Sequence, residues 1–275
     1  MGFRFRVFGL HLLGSAGALL LVLGALYLGW YRWPGWYLAD AQQVVIVLAG
    51  ADLALGPVLT FVIAQASKPR RVLARDIAII VAVQLCALLY GTVLLWNGRP
   101  LYYAFSENVL QLVQAYDIDA EELARARQEH AQLAPHWYSL PRWIWAPLPQ
   151  DPDEREKIVT AAVVGGDDVI SMPRYFKPWE EGLPELRKQL KKVDDLGYFS
   201  NAEKGMLKER MRSAGLEPEQ ENSLPFTGRG HPLLAVFDPA SLKIVAILKS
   251  KLPNKPKPSG RSGSNAKRRG RPPSR

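Results

Sequence analysis

The chain has 275 residues, room for one or two domains, and its single cysteine, Cys86, excludes an internal disulfide and a cysteine-based zinc cluster. Its net charge of +9 is uneven: ten Lys/Arg and no acid lie between Lys249 and Arg275, so the remaining body carries about one net negative charge. The apolar residues are concentrated in the first hundred positions, which argues against an ordinary water-soluble fold there.

Leu10 to Trp30 contains no charged residue, and at 1.5 Å per residue it reaches ~30 Å, the thickness of a bilayer's hydrocarbon core. Val44–Ala64, broken only by Asp52, and Ile77–Trp96, with Gln84 as its most polar member, repeat the pattern. Three transmembrane helices are therefore expected, at about 10–30, 44–64 and 77–96, making residues 1–97 a membrane domain. Arg4 and Arg6 ahead of the first run also fit a signal peptide, but the run exceeds the ~7–15 residues of such a core and lacks a well-placed cleavage site.

Arg4, Arg6, Lys68, Arg70, Arg71 and Arg75 flank one side of these spans, whereas the loop between the first two has only Arg32. The positive-inside rule puts the former side in the cytoplasm and everything after Trp96 outside, the periplasm in a Gram-negative cell. Trp30, Trp33, Trp36, Tyr37, Trp96, Tyr102 and Tyr103 are then expected to form an aromatic belt at the far interface.

Asp52 falls near the middle of the second span, where a charge costs ~2.5–3.5 kcal/mol to insert. Counting helical rise from the basic side predicts an Asp52–Tyr90 pair and a second polar layer of Ser15, Thr60 and Gln84. Asp52 reads either as a proton or ion site or as a hydrogen-bonding peg that docks three helices beside the irregular Gly56-Pro57. A transporter ordinarily needs more ionisable groups along a path, which favours the peg.

Residues 98–248 read as an α+β extracytoplasmic domain. "RPLYYAFS" and "VLQLVQAY" are expected strands around the turn Glu107-Asn108, and "HPLLAVFDPASLKIVAIL" a hairpin around Asp238-Pro239-Ala240. Helices are expected after Asp119 with Glu122, after Asp151-Pro152 with Glu154, over "GLPELRKQLKKV", and from the Ser200/Glu203 capping box to Gly215. Neither His130 nor His136 has metal-ligand spacing, "VVGGDDV" lacks a phosphate-loop lysine, and "SMPRYFKPWEE" reads equally as a peptide surface or as packed aromatics. No catalytic residue, metal or cofactor is expected. The tail 249–275 is expected to be disordered; its "RGRP" resembles a minor-groove hook, but the orientation favours anionic polymers or headgroups and no nucleic acid.

"GADLALGPVLTFVI", "ARDIAIIVAVQLCALLYGTVLLWNGRP" and "LYYAF" resemble the core of the TfpX/TfpZ family of type IV pilin accessory proteins. Asp52, Gly56, Pro57, Asp76, Gln84, Ala87, Leu88, Tyr90, Gly91, Arg99, Pro100 and Phe105 fall on that family's pattern. The resemblance covers residues 45–105 and runs more weakly through "SMPRYF" to the closing hairpin; Ser106-Glu107-Asn108-Val109 departs from it where many members carry an acidic-Arg-Phe stretch. It implies a non-enzymatic, multi-pass inner-membrane protein that assists pilin stability, pilus assembly or pilus dynamics, with a pilin and membrane lipids as partners. It further implies that Asp52, Gly56, Pro57, Gln84, Tyr90 and Gly91 serve within the membrane and that Arg99, Pro100 and Phe105 form an interface motif. A pilin awaiting assembly has one apolar helix in the bilayer, commonly with a glutamate near its start, and a globular head outside.

Overall fold

The computed structural model describes residues 2–65, 67–166 and 168–250, so the basic tail beyond 250 lies outside the described residues. Helix α1 (Gly2–Gly29) begins ahead of the expected Leu10 because the arginines at its start continue the same hydrogen-bonded ladder. A single turn, α2 (Gly35–Leu38), precedes the second span, which is built from α3 (Ala41–Ala49), a π-helical segment (Gly50–Leu55) and α4 (Gly56–Ile63). Helix α5 (Arg70–Asn97) completes the bundle. At 28, 23 and 28 residues, α1, the joined Ala41–Ile63 helix and α5 are each long and apolar enough to cross a membrane. Leu19, Leu26, Leu48, Leu88 and Leu95 pack inside the bundle, while Leu10, Leu13, Leu20, Leu21, Val47, Val83 and Leu89 point outward. That apolar exterior is costly in water and neutral in lipid.

Gly98 ends α5, and the chain passes directly into the sheet strands β1 (Pro100–Ser106) and β2 (Val109–Gln114). After α6 (Ala120–Gln128) come β3 (Arg142–Trp145), α7 (Pro152–Val163), β4 (Lys177–Pro178), α8 (Trp179–Gln189), α9 (Asn201–Ser213), β5 (Ser223–Thr227), β6 (Leu233–Phe237) and β7 (Ile244–Lys249). The strands form one mixed sheet in the order β4-β3-β1-β2-β5-β6-β7, parallel at β1/β3 and β2/β5 and antiparallel elsewhere. Both hairpins read from the sequence are present. Ser106 pairs with Val109 across a turn in which Glu107 takes φ +52°, and β6 pairs with β7.

Period-two alternation divides each strand between two cores. Tyr103 and Phe105 join Leu186 and Leu190 on the α8 face, while Tyr102 and Ala104 join Ile158, Met172 and Phe176 on the other. Leu207 and Met211 of α9 cover Leu234 and Val236 on β6. The expected aromatic belt is corrected accordingly: Tyr102 and Tyr103 are buried in the sheet, because β1 begins immediately after the span and turns them inward. Burial pushes the Tyr103 hydroxyl up to about 12, with a backbone hydrogen bond from Gly35 partly opposing the shift. Leu38 of α2 also enters the α8-side core, and the Gly230 N–H donates to its carbonyl at 2.9 Å, so the loop between the first two spans is fixed to the sheet.

The caps follow the sequence in two cases of three. Asp151 accepts from the Asp153 N–H at 3.1 Å, and Ser200 and Glu203 exchange both bonds of a capping box. At α6, Asp119 makes no side-chain cap bond; Glu122 is buried and pairs instead with Arg125 at 3.0 Å and Arg174 at 3.6 Å.

Candidate functional site

Pro57 has no N–H to give the ladder, and its ring crowds the carbonyl one turn earlier, which favours a widened turn just upstream. The Gly50–Leu55 π segment supplies that turn, and within it Asp52 faces the bundle interior at 3% exposure. Asp52 Oδ1 has no hydrogen-bond partner among the described residues. An orphaned polar atom in this setting marks either a strain point or an incomplete site.

One to two turns toward the basic side lies a connected polar layer. His11 Nδ1 is 2.6 Å from Thr60 Oγ1, and His11 Nε2 is 2.6 Å from Gln84 Oε1. Gln84 Nε2 donates to the Asp52 backbone carbonyl at 3.1 Å and reaches Ser15 Oγ at 3.4 Å. Because a side-chain amide oxygen only accepts, the network places a proton on Nε2, while Nδ1 faces the Thr60 hydroxyl, a group that both donates and accepts. All three spans are tied by this one set of bonds. The structure thus brings together Ser15, Thr60 and Gln84 and adds His11, four residues before Ser15 on the same face of α1. That spacing was the available signal; depth counted from Leu10 hides it, since the helix begins a turn and more earlier.

The expected Asp52–Tyr90 pair does not form. Tyr90 is 69% exposed on the outside of α5, because equal depth in two helices says nothing about which face each residue occupies. Gly56 and Gly91 have steric roles instead. A Cβ on Gly56 would run into the Gln84 amide, and one on Gly91 would lie 2.7 Å from Leu48 Cγ, so each glycine admits a side chain from the neighbouring helix. Pro57 is buried beside them.

Between α1 and α5 a cleft of about 380 Å³ opens onto the apolar exterior, with Leu10, Gly14 and Ala18 on one wall, Val81 and Leu85 on the other, and His11, Asp52 and Gln84 behind. A Cβ added to Gly14 would meet nothing within 4 Å, so this small-residue face of α1 is free for close approach.

The Arg99-Pro100-Phe105 motif is resolved into separate jobs. The Arg99 guanidinium lies 4.5 Å from the Trp96 ring centroid and donates to the carbonyls of Trp96 at 2.7 Å and Trp137 at 3.0 Å. Burial lowers its pKa, partly opposed by Tyr31, yet a guanidinium stays charged, which makes it a permanent clamp between bundle and sheet. Pro100 opens β1, and Phe105 is 1% exposed in the core, so Phe105 supports the fold and cannot itself form a contact surface. Of the two readings of "SMPRYFKPWEE", packing holds for Met172, Phe176 and Trp179, while Arg174 joins Glu122 and Glu154 in an ion-pair cluster. No group of three metal-ligating side chains occurs among the described residues.

Fold and site together define a class: three membrane-length helices joined by one polar layer and carrying a mixed-sheet α+β domain. No family model matches the chain, and no solved structure matches it. Relatives from Dichelobacter nodosus do match. "Fimbrial assembly protein, serogroup E1" and "Fimbrial assembly protein, serogroup I" are each 25% identical to it over 241 residues, covering 86% of this chain and 91% of the relative. "Fimbrial assembly protein, serogroups C1 and C2" is 27% identical over 124 residues, 45% of this chain and 95% of its own length.

Proposed function

We propose that this chain is an inner-membrane accessory protein of type IV pilus assembly that holds a pilin by its membrane helix and its outer head. The observation that carries the reading is the span of the relatives named for fimbrial assembly, which extends over 86% of this chain and so takes in both bundle and sheet domain. Their names agree with the pilus part of the resemblance read at residues 45–105, and that family's name rests on the residues alone.

The cleft supports a binding role. Its small-residue wall admits the side chains along one face of an incoming helix, and the Ser15 hydroxyl behind it, which accepts from Gln84, keeps its proton to donate to a polar group carried into the membrane. Six basic residues on one side of the spans against Arg32 on the other support a cytoplasmic N-terminus and a periplasmic sheet domain, which meets the pilin head. Binding and positioning, rather than a reaction, are the proposed work. Deleting the gene tests this: lower pilin level, fewer surface pili or impaired twitching is expected, and a strain unchanged in all three contradicts the proposal.

A further inference from the structure

The segment between α6 and β3 presents three large side chains to the exterior, Trp137 at 71%, Tyr138 at 58% and Leu140 at 57% exposure. The backbone beneath them is firmly held. Trp30 Nε1–H donates to the Ser139 carbonyl at 2.8 Å, Arg99 to the Trp137 carbonyl at 3.0 Å, and the Tyr102 hydroxyl to the Leu133 carbonyl at 2.5 Å. Ser139 closes the turn on itself, its Oγ accepting from the His136 N–H at 2.9 Å and its N–H donating to the His136 carbonyl at 3.1 Å. A turn pinned this way while showing an indole, a phenol and an isobutyl group is built to present them.

Its level in the molecule identifies what covers it. Trp30 and Trp96 stand where the apolar runs of α1 and α5 end, with ring centroids 5.0 Å apart, and the Trp137 ring continues the cluster 6.2 Å from Trp96. The exposed patch is therefore continuous with the outward, apolar surface of the bundle at the boundary of the hydrocarbon core. Trp and Tyr are the side chains favoured at that depth, with an apolar body and a polar tip, and exposed His136 and Arg142 flank the patch as headgroup partners. We propose that residues 136–140 form an interfacial anchor whose Trp137, Tyr138 and Leu140 side chains enter the lipid headgroup layer on the sheet-domain side of the membrane. The anchor sets the height and tilt of the sheet above the bilayer, through the same Arg99 and Trp30 bonds that join bundle to sheet.

The test uses the full chain with Cys86→Ser, reconstituted at one copy per nanodisc of phosphatidylethanolamine and phosphatidylglycerol, with an environment-sensitive dye on Tyr138→Cys. Tyr198→Cys is the comparison; Tyr198 lines a hollow with Asn108 at the β1–β2 turn, the end of β1 away from the bundle. The expected result at 138 is blue-shifted emission, quenching by headgroup-region nitroxide lipids and loss of quenching by aqueous iodide, none of which occurs at 198. Equal emission and equal iodide access at the two positions overturns the proposal, as does shielding of 138 that requires two copies per disc. The double variant Trp137→Ser/Leu140→Ser, with its unfolding in detergent unchanged, is expected to restore iodide access at 138; continued shielding in that folded variant overturns the anchor as well.

Discussion

Replacing Gln84 by methionine keeps an unbranched chain of similar volume against Gly56 but removes every polar contact the amide makes. Three contacts are lost, to His11 at 2.6 Å, the Asp52 carbonyl at 3.1 Å and Ser15 at 3.4 Å. The last is too long to count for much. At about 0.6 kcal/mol for each hydrogen bond inside a bilayer, the two good bonds contribute about 1.2 kcal/mol. Stranding the His11 N–H without its acceptor adds about 1 kcal/mol, for a total of about 2 kcal/mol. Reversible unfolding in mixed micelles, titrated with a denaturing detergent, reads this directly. Tyr90→Phe is the matched control, since Tyr90 faces outward, and it should stay within about 0.5 kcal/mol of wild type. A Gln84→Met protein as stable as wild type refutes the polar layer as the joint of the bundle, and a costly Tyr90→Phe restores the pairing that equal depth suggests.

Asp52→Asn is expected to leave protein level, pilin contact and piliation intact, because Oδ1 has no bond to lose and the amide keeps the carboxyl's shape with one oxygen acceptor; loss of piliation at normal protein level would instead point to a proton or ion site. Arg99→Met removes two charge-assisted bonds to carbonyls and should cost about 2–3 kcal/mol while exposing the 131–141 segment to limited proteolysis, with unchanged cleavage contradicting the clamp. Ser200→Ala should cost about 1 kcal/mol at neutral pH. Because the hydrogen bonds from Ser200 hold the Glu203 carboxyl below its ordinary range, the stability it contributes is present above that range and is lost as pH falls through the lowered value. The gap between wild type and Ser200→Ala should therefore narrow on acidification, and a pH-independent gap is the contrary result.

Hydrophobic run length made the three spans legible, and period-two patterning made both hairpins legible, because each is a local signal fixed by one solvent boundary. The caps at Asp151 and Ser200 were equally local. Strands β3, β4 and β5 were not legible: "RWIW", "KP" and "SLPFT" are too short for a period, and they become strands only because longer neighbours offer them an edge. Asp52 could be singled out by its cost in lipid, but the group it faces could not, since equal depth does not say which face a residue occupies and a π turn shifts that face further. His11 and the Trp137 turn were missed for a related reason. Their roles arise from contacts 31 to 109 residues apart in sequence.

The most direct test of the central claim places a photo-crosslinking amino acid at Leu10 or Leu85, on the two walls of the cleft, and at Val62 on the exposed side of α4, in cells making pili. The account expects a pilin adduct from the first two positions and none from Val62. Absence of pilin from both cleft positions, or equal capture at Val62, contradicts it.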